Sequence, residues 1–321
     1  MNKSIAIEKR IIDSQSPVYI IAEMSGNHLM DFERAKEIIY RLKDSGTDAV
    51  KLQTYTADTI TIDCDRPEFL INEGLWKGET RYSLYQKAYT PWEWQEPLMK
   101  YANDLGMACF SSPFDFTAVD FMEDIGMPAY KIASYEIFDI PLIKKIAKTN
   151  KPVIISTGIA HMEDIERAID TCRNEGNEDV ILLKCTSAYP CPYEVMNIRS
   201  IPVIQQTFDC IVGLSDHSFG SEVALGAVAL GAKVLEKHVT IKRDDGGPDA
   251  GFSMEMEEFI DMVRQIRNLE KALGNGNIQL TELQENERVS GRSLYAVKDI
   301  KKGEEFTPDN VRSVRPGFGL H

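Results

Sequence analysis

One unit recurs along this chain: a short, continuous apolar run followed by a segment with helical periodicity. The runs are Val18–Ala22, Ala49–Leu52, MACFSSP (107–113), AYKIASYE (129–136), PVIISTG (152–158), VILLKCTSAYP (180–190), IVGLSDH (211–217) and KVLEKHVT (233–240). Continuous rather than alternating apolarity marks strands buried on both faces, the pattern of a parallel sheet covered by helices. The intervening segments carry one-face stripes. Phe32, Ala35, Ile38, Ile39 and Leu42 form one such stripe, which stops at Gly46, and Met162, Ile165, Ile169 and Cys172 form another. Eight strand–helix units in 321 residues predict a (β/α)₈ barrel. An open doubly wound sheet is the rival, and the lack of a GxGxxG after the first run counts against it.

In a barrel, the residues at the C-terminal ends of the strands line one mouth. Here they are Glu23 and Asn27, Lys51 and Gln53, Ser111 and Ser112, Lys131, Ser134 and Glu136, Ser156 and Thr157, Ser187 and Tyr189, Ser215 to His217, and Glu236 to His238. Lysines and hydroxyls without arginine suit a cradle for phosphate or carboxylate, with lysine acting as a point charge. His217 and His238 end consecutive runs. If those are neighbouring strands about 5 Å apart, two neutral imidazoles converge. Such a pair suits Mn, Fe, Co or Zn and leaves coordination positions open for substrate. The plainer alternative is that each histidine only hydrogen-bonds within a packed loop.

The net charge of −14 argues against nucleic acid or an anionic membrane as partners. An anionic substrate must then be held by local lysines and backbone donors. No apolar run approaches the ~18 residues of a membrane span. The N-terminus lacks a secretory pattern, and the six cysteines form no CxxC pair, so a cytoplasmic protein with reduced thiols is expected. The stretch between KLQTY and MACFSSP is too long for an ordinary barrel loop. Its Phe69, Trp76, Tyr82, Tyr85 and Tyr89 either cover a sugar-like ligand or anchor the loop to the barrel wall. After the last run, the Gly-Gly-Pro turn of 246–248 presents Asp249 to the mouth, and Ser253 is expected to cap a helix ending at Gly274. A polar Gly/Asn-rich linker follows. The remaining ~30 residues are too few to fold unaided, so they must dock on something, and they stop at His321 as if the module continued.

The ordered motifs IAE–x–x–x–NH (21–28), KLQTY (51–55), SSPF (111–114), YKIAS–x–E (130–136), STG (156–158), CT–x–x–YP (185–190), GLSDH (213–217), EKH (236–238), GGPD (246–249), RSL (292–294) and VRPG (314–317) resemble those of the sialic acid synthase family. Members of that family condense phosphoenolpyruvate with an N-acetylated amino sugar, and the resemblance covers essentially the whole chain. Three stretches, 74–94, 215–220 and 313–321, are most like a branch whose acceptor is a 2,4-diacetamido-2,4,6-trideoxy sugar. Other branches with the same catalytic motifs use other N-acetylated sugars.

The resemblance implies a TIM-barrel catalytic domain over 1–274, a linker over 275–290 and the first part of an antifreeze-like (SAF) module over 291–321. It implies a homodimer in which that module is swapped onto the partner's barrel mouth. His217 and His238 match metal ligands, usually for manganese. Lys51, Ser112, Lys131, Ser134, Ser156 and Ser215 match the phosphoenolpyruvate cradle. Glu23 matches the acidic residue beside the metal-bound water and the sugar aldehyde. Gln53, Glu136, Tyr189 and Asp249 match positions near the sugar, and Arg315 matches an arginine given by the partner subunit. Ser187 stands where many family members carry Asn. Two readings of other classes are a metal-dependent aldolase, which would use pyruvate and release no phosphate, and a non-enzymatic sugar-binding protein, which would need no metal.

Overall fold

The computed structural model describes residues 3–320; Met1, Asn2 and His321, the last residue of the 313–321 stretch, lie outside the described residues. Two compact units emerge, Met1–Ala272 and Leu273–His321.

The first unit opens with an antiparallel hairpin of β1 (Ile5–Ile7) and β2 (Arg10–Ile12). The eight apolar runs then supply β3 (Tyr19–Glu23), β4 (Ala49–Thr54), β5 (Ala108–Pro113), β6 (Tyr130–Ile132), β7 (Val153–Ser156), β8 (Val180–Lys184), β9 (Ile211–Asp216) and β10 (Val234–Thr240). They pair in chain order, all parallel, and β10 pairs back onto β3, which closes the barrel. A two-residue strand, β11 (Met254–Glu255), adds to β10.

The core has two layers, because each strand buries both faces. Outward residues such as Ile20, Ala22, Val50, Leu52, Leu182 and Val212 pack under the surrounding helices. The helix Phe32–Leu42 is representative: Asp31 accepts from the backbone of Glu33 and Arg34 to cap it, and Ala35, Ile38, Ile39 and Leu42 are its buried face. Inward residues near the strand starts, including Tyr19, Ile21, Phe110, Ile154, Ile181 and Val234, form a second cluster with Ile5, Ile7 and Ile12 of the hairpin. The hairpin therefore plugs the bottom of the barrel with three buried isoleucines, each contributing about 1.5–3 kcal/mol. Apolar filling below leaves the polar strand ends above open to a ligand.

One glycine sets the spacing where it matters. A Cβ on Gly213 of β9 would lie 2.1 Å from the carbonyl oxygen of Val234 and 2.7 Å from Leu183 Cδ2. Only glycine lets β9 pass this close to β10.

Several local expectations need correction. Ser253 does not cap a helix: it donates to the Asp249 carbonyl (2.7 Å), β11 follows, and the helix begins at Met256 and runs to Leu273. Met162 is exposed, so the stripe of its helix is Ile165, Ala168, Ile169 and Cys172.

The second unit holds a short helix, Glu282–Glu287, started by a capping box between Thr281 and Gln284. It also has an antiparallel pair, β12 (Ser293–Ala296) and β13 (Val311–Val314). Phe306, Phe318 and Leu320 are exposed on it. Among the described residues, no helix is long and apolar enough to cross a membrane.

Candidate active site

Strand register assembles the mouth. In β10, Glu236 and His238 point inward while Lys237 points out. The pairing sets Glu236 opposite Ser215 and His238 opposite Glu23, and Glu23 opposite Lys51. Five neighbouring functional groups thus come from four consecutive strands of the closed ring, β9, β10, β3 and β4. The outward Lys237 forms a buried pair with Asp216 (2.6 Å) and donates to the Ser218 carbonyl (2.7 Å). That pair locks β9 to β10 directly behind the two histidines.

Inside, one carboxylate holds two ammonium groups. Glu236 Oε2 is 3.1 Å from Lys51 Nζ, and its Oε1 accepts from Lys131 Nζ (3.0 Å) and Ser215 Oγ (2.9 Å). Burial alone would raise the Glu236 carboxyl, but Lys131 and Lys51 hold it far below the usual carboxylate range. Burial draws Lys51 down to about 7, with Lys131 adding to the effect and Glu236 opposing it. Lys51 also contacts Glu23 Oε2 and lies 3.5 Å from Ser112 Oγ.

The two imidazoles stand beside this cluster, ring centroids 5.4 Å apart. His217 Nδ1 donates to the Thr186 carbonyl (3.2 Å), which leaves Nε2 for a ligand. His238 is held neutral, its basicity lowered well below normal by burial and then by His217, and its Nδ1 is buried without a partner. Among the described residues, no group of three His, Cys, Asp or Glu is placed to hold a metal. The donor set is therefore two imidazoles, one with an orphaned nitrogen, which fits a divalent ion that keeps open positions for water and substrate. Two such ligands do not by themselves select manganese. Cys185 lies 3.9 Å from His217 Nδ1. Burial would raise its thiol, yet His217 and Ser134 draw it down to about 7.

These groups face one cavity of about 610 Å³. Of the residues expected from sequence, Glu23, Lys51, Gln53, Lys131, Ser134, Glu136, Ser156, Tyr189, Ser215, His217, His238 and Asp249 all line it. Ser112 is buried and does not line the cavity; its Oγ lies 3.5 Å from Lys51 Nζ, which does. Arg315 belongs to the second unit, where it is exposed. Asn27 is not at the mouth: its side-chain amide donates to the Val239 carbonyl (2.9 Å) and Ser253 Oγ (2.8 Å), tying β3 to β10. His28 is likewise internal, kept neutral by burial at about 4 and bridged between Met30 N and Thr90 Oγ1. Ser111 faces outward against Thr54 Oγ1 (2.6 Å).

Several buried polar atoms of the mouth have no protein partner: Ser156 Oγ, Ser187 Oγ and Glu136 Oε2. Burial pushes the Glu136 carboxyl up to about 7. Unpaired buried polar atoms are costly, and a polar ligand would relieve them.

The long insertion splits the two roles considered for its aromatics. Trp76 and Tyr85 line the cavity. The Trp76 indole donates to the Pro248 carbonyl (2.5 Å), and its ring packs on Tyr189 and Phe252, at 5.8 and 6.3 Å between centroids. Tyr82 instead donates to Asp58 on the surface (3.0 Å). Glu236 and Ser25 also line the cavity, and sequence reasoning left both without a role.

Comparison with known proteins agrees with this geometry. A family profile described as the NeuB family matches residues 38–278, and a SAF domain profile matches residues 291–321. The pseudaminic acid synthase of Campylobacter jejuni subsp. jejuni serotype O:23/36 (strain 81-176) is 46% identical over 309 residues, covering 96% of this chain and 90% of that protein. The pseudaminic acid synthase of Helicobacter pylori (strain ATCC 700392 / 26695) is 43% identical, covering 95% and 90%. Among solved structures, the N-acetylneuraminic acid (sialic acid) synthetase of Leptospira borgpetersenii serovar Hardjo-bovis, in complex with citrate, superposes with a TM-score of 0.80. It is 29% identical, over 89% of this chain and 95% of that one.

Proposed function

The chain belongs to the NeuB family, and on that premise we propose that it condenses phosphoenolpyruvate with an N-acetylated amino sugar to give a nonulosonic acid and phosphate. The best acceptor is 2,4-diacetamido-2,4,6-trideoxy-L-altrose, which would make the product pseudaminic acid, the activity named for the Campylobacter and Helicobacter relatives. The observation that carries the reading is the mouth itself: two buried lysines share one carboxylate beside two imidazoles, with unpaired polar atoms around them.

In this reading Lys51, Lys131, Ser134, Ser156 and Ser215 hold the phosphate and carboxylate of phosphoenolpyruvate, while Ser112 supports Lys51. Gln53, Glu136, Tyr189 and Asp249 hold the sugar. His217 and His238 would hold a divalent ion, manganese by family resemblance, which supplies Lewis-acid polarisation of the sugar aldehyde. The methylene carbon of phosphoenolpyruvate bonds to the aldehyde carbon as the C=C π pair moves into the new bond and the C=O π pair moves onto the aldehyde oxygen, which takes a proton to become the product hydroxyl. A water oxygen bonds to C2, and Glu23 takes one proton of that water, balancing the one delivered to the aldehyde oxygen. The C2–O bond to phosphate then breaks as the second proton of the water leaves the new C2 hydroxyl with the phosphate, which leaves C2 as the ketone. Fixed donors in a closed-bottomed cavity act through positioning and preorganised charge. A cytoplasmic homodimer in which Arg315 of the partner subunit completes the sugar end is part of the same proposal.

The test is incubation with phosphoenolpyruvate and a panel of 2-acetamido and 2,4-diacetamido sugars, following phosphate and product mass. Phosphate release with one acceptor is expected, as is its loss in His217→Ala, His238→Ala and chelator-treated protein with the fold retained. Turnover of pyruvate without phosphate would assign an aldolase instead. Full activity in metal-stripped protein would remove the two histidines from their role.

A further inference from the structure

Ser25 sits in the wall of the cavity between two groups assigned to the sugar, and nothing above uses it. It follows β3 with φ +48°, in the left-handed region that side chains other than glycine seldom adopt. It is buried, and its hydroxyl has two partners. Ser25 Oγ donates to Asp249 Oδ2 and accepts from Gln53 Nε2 (3.2 Å). The Gly26 backbone N–H also donates to Asp249 Oδ2 (3.2 Å), and Gln53 Nε2 lies 3.4 Å from Glu23 Oε1. Asp249 thus spends one oxygen on the protein. Among the described residues the side-chain hydrogen bonds of Asp249 and Gln53 use Asp249 Oδ2 and Gln53 Nε2, which leaves Asp249 Oδ1 and Gln53 Oε1 without a protein partner, and both side chains line the cavity.

We propose that Ser25 is a positioning residue for the acceptor sugar, pinning Asp249 and Gln53 so that each turns an acceptor oxygen toward the same face of the cavity. Two convergent acceptor oxygens recognise donors, so the sugar groups read here are hydroxyl or amide N–H hydrogens. Discrimination follows, because a bound sugar that lacks the donor shuts a carboxylate oxygen off from water and leaves it unpaired. The arrangement also explains the backbone. A glycine would adopt φ +48° freely but could not bridge Asp249 to Gln53. The inference rests on the proposed function, since it takes Asp249 and Gln53 as sugar contacts.

The decisive variant is Ser25→Gly, which removes the hydroxyl where glycine relieves the backbone, so the lost hydrogen bonds are partly offset and the melting temperature should stay within a few degrees of the parent's. The KM for the acceptor is expected to rise about tenfold, the scale of one charge-assisted hydrogen bond, while the KM for phosphoenolpyruvate stays within about twofold. In an Asp249→Asn background the same change should cost much less, because the bond it breaks is already weakened. Parental KM values for both substrates in Ser25→Gly, an equal rise in both, or strict additivity with Asp249→Asn would each overturn the inference. A parent protein that releases no phosphate with any acceptor would sink the proposed function and this inference together. A parent that turns over while Ser25→Gly matches it sinks this inference alone.

Discussion

Replacing Glu236 by glutamine removes one charge and almost no volume from the centre of the mouth. In the parent protein its two oxygens face Lys51 Nζ at 3.1 Å and Lys131 Nζ at 3.0 Å, with all three side chains buried. At an effective dielectric of about 20, each contact represents about 5 kcal/mol of gross attraction, much of it offset by desolvation. Breaking a buried pair by removing one partner costs about 3–5 kcal/mol, because the other charge is left uncompensated. For a chain of this size that is a fall in melting temperature of about 4 to 7 °C. The measurement belongs near pH 6.5, below the value of about 7 to which burial draws Lys51, so that the parent ammonium carries its proton. Inorganic phosphate should recover more of the loss in Glu236→Gln than it adds to the parent, since an anion takes the vacated electrostatic role and stabilises by mass action. Scanning calorimetry with and without phosphate reads both effects. A variant with the parental melting temperature, or equal phosphate shifts in the two proteins, would refute the claim that Glu236 is what keeps two ammonium groups together.

Two further outcomes follow from the same geometry. Trp76→Ala removes the indole bond to Pro248 and the packing on Tyr189 and Phe252, so the acceptor KM should rise about tenfold and amide exchange of 70–80 should accelerate; unchanged exchange there would mean that Trp76 does not hold the insertion down. Burial raises the Glu136 carboxyl to about 7, so the folded state binds a proton that the unfolded state gives up near its ordinary value, and this contribution to stability is lost as pH rises toward 7. Glu136→Gln should therefore melt higher than the parent at about pH 8 and close to it at about pH 5, and a gap that is independent of pH would argue against a buried, charge-averse carboxyl.

The barrel was legible because burial on both strand faces writes continuous apolar runs, and eight of them leave few other ways to close. The mouth was legible for a related reason: once strand ends are known, their polar residues must converge. What the sequence concealed depends on phase and on backbone. Glu236 and Lys237 are adjacent in EKH, and only the inward direction of His238, two residues from Glu236, decides that the acid faces in and the lysine faces out. Asn27 and His28 look like mouth residues by position, but Asn27 is consumed in fastening β3 to β10 and His28 in linking Met30 to Thr90. Ser25 carries no signal in its one-letter code, since its use depends on a left-handed φ. The hairpin of β1 and β2 escaped notice because three residues per strand give too short a pattern to read. Helix capping misled at Ser253, whose hydroxyl is claimed by the Asp249 carbonyl through a turn.

These details bear on the chemistry through Lys51. As built, the two lysines and two carboxylates Glu23 and Glu236 leave the cradle close to neutral, so an anion does not enter a preformed positive hole. It must compete for Lys51 and Lys131. Glu236 is held by three groups, Lys131, Lys51 and Ser215, whereas Glu23 has Lys51 and the long contact to Gln53. In the proposed reaction, a phosphoenolpyruvate oxyanion that draws Lys51 away leaves Glu23 with its negative charge and without its counterion. In that proposal, binding of the anionic substrate and freeing of Glu23 to accept the proton of the attacking water are one event.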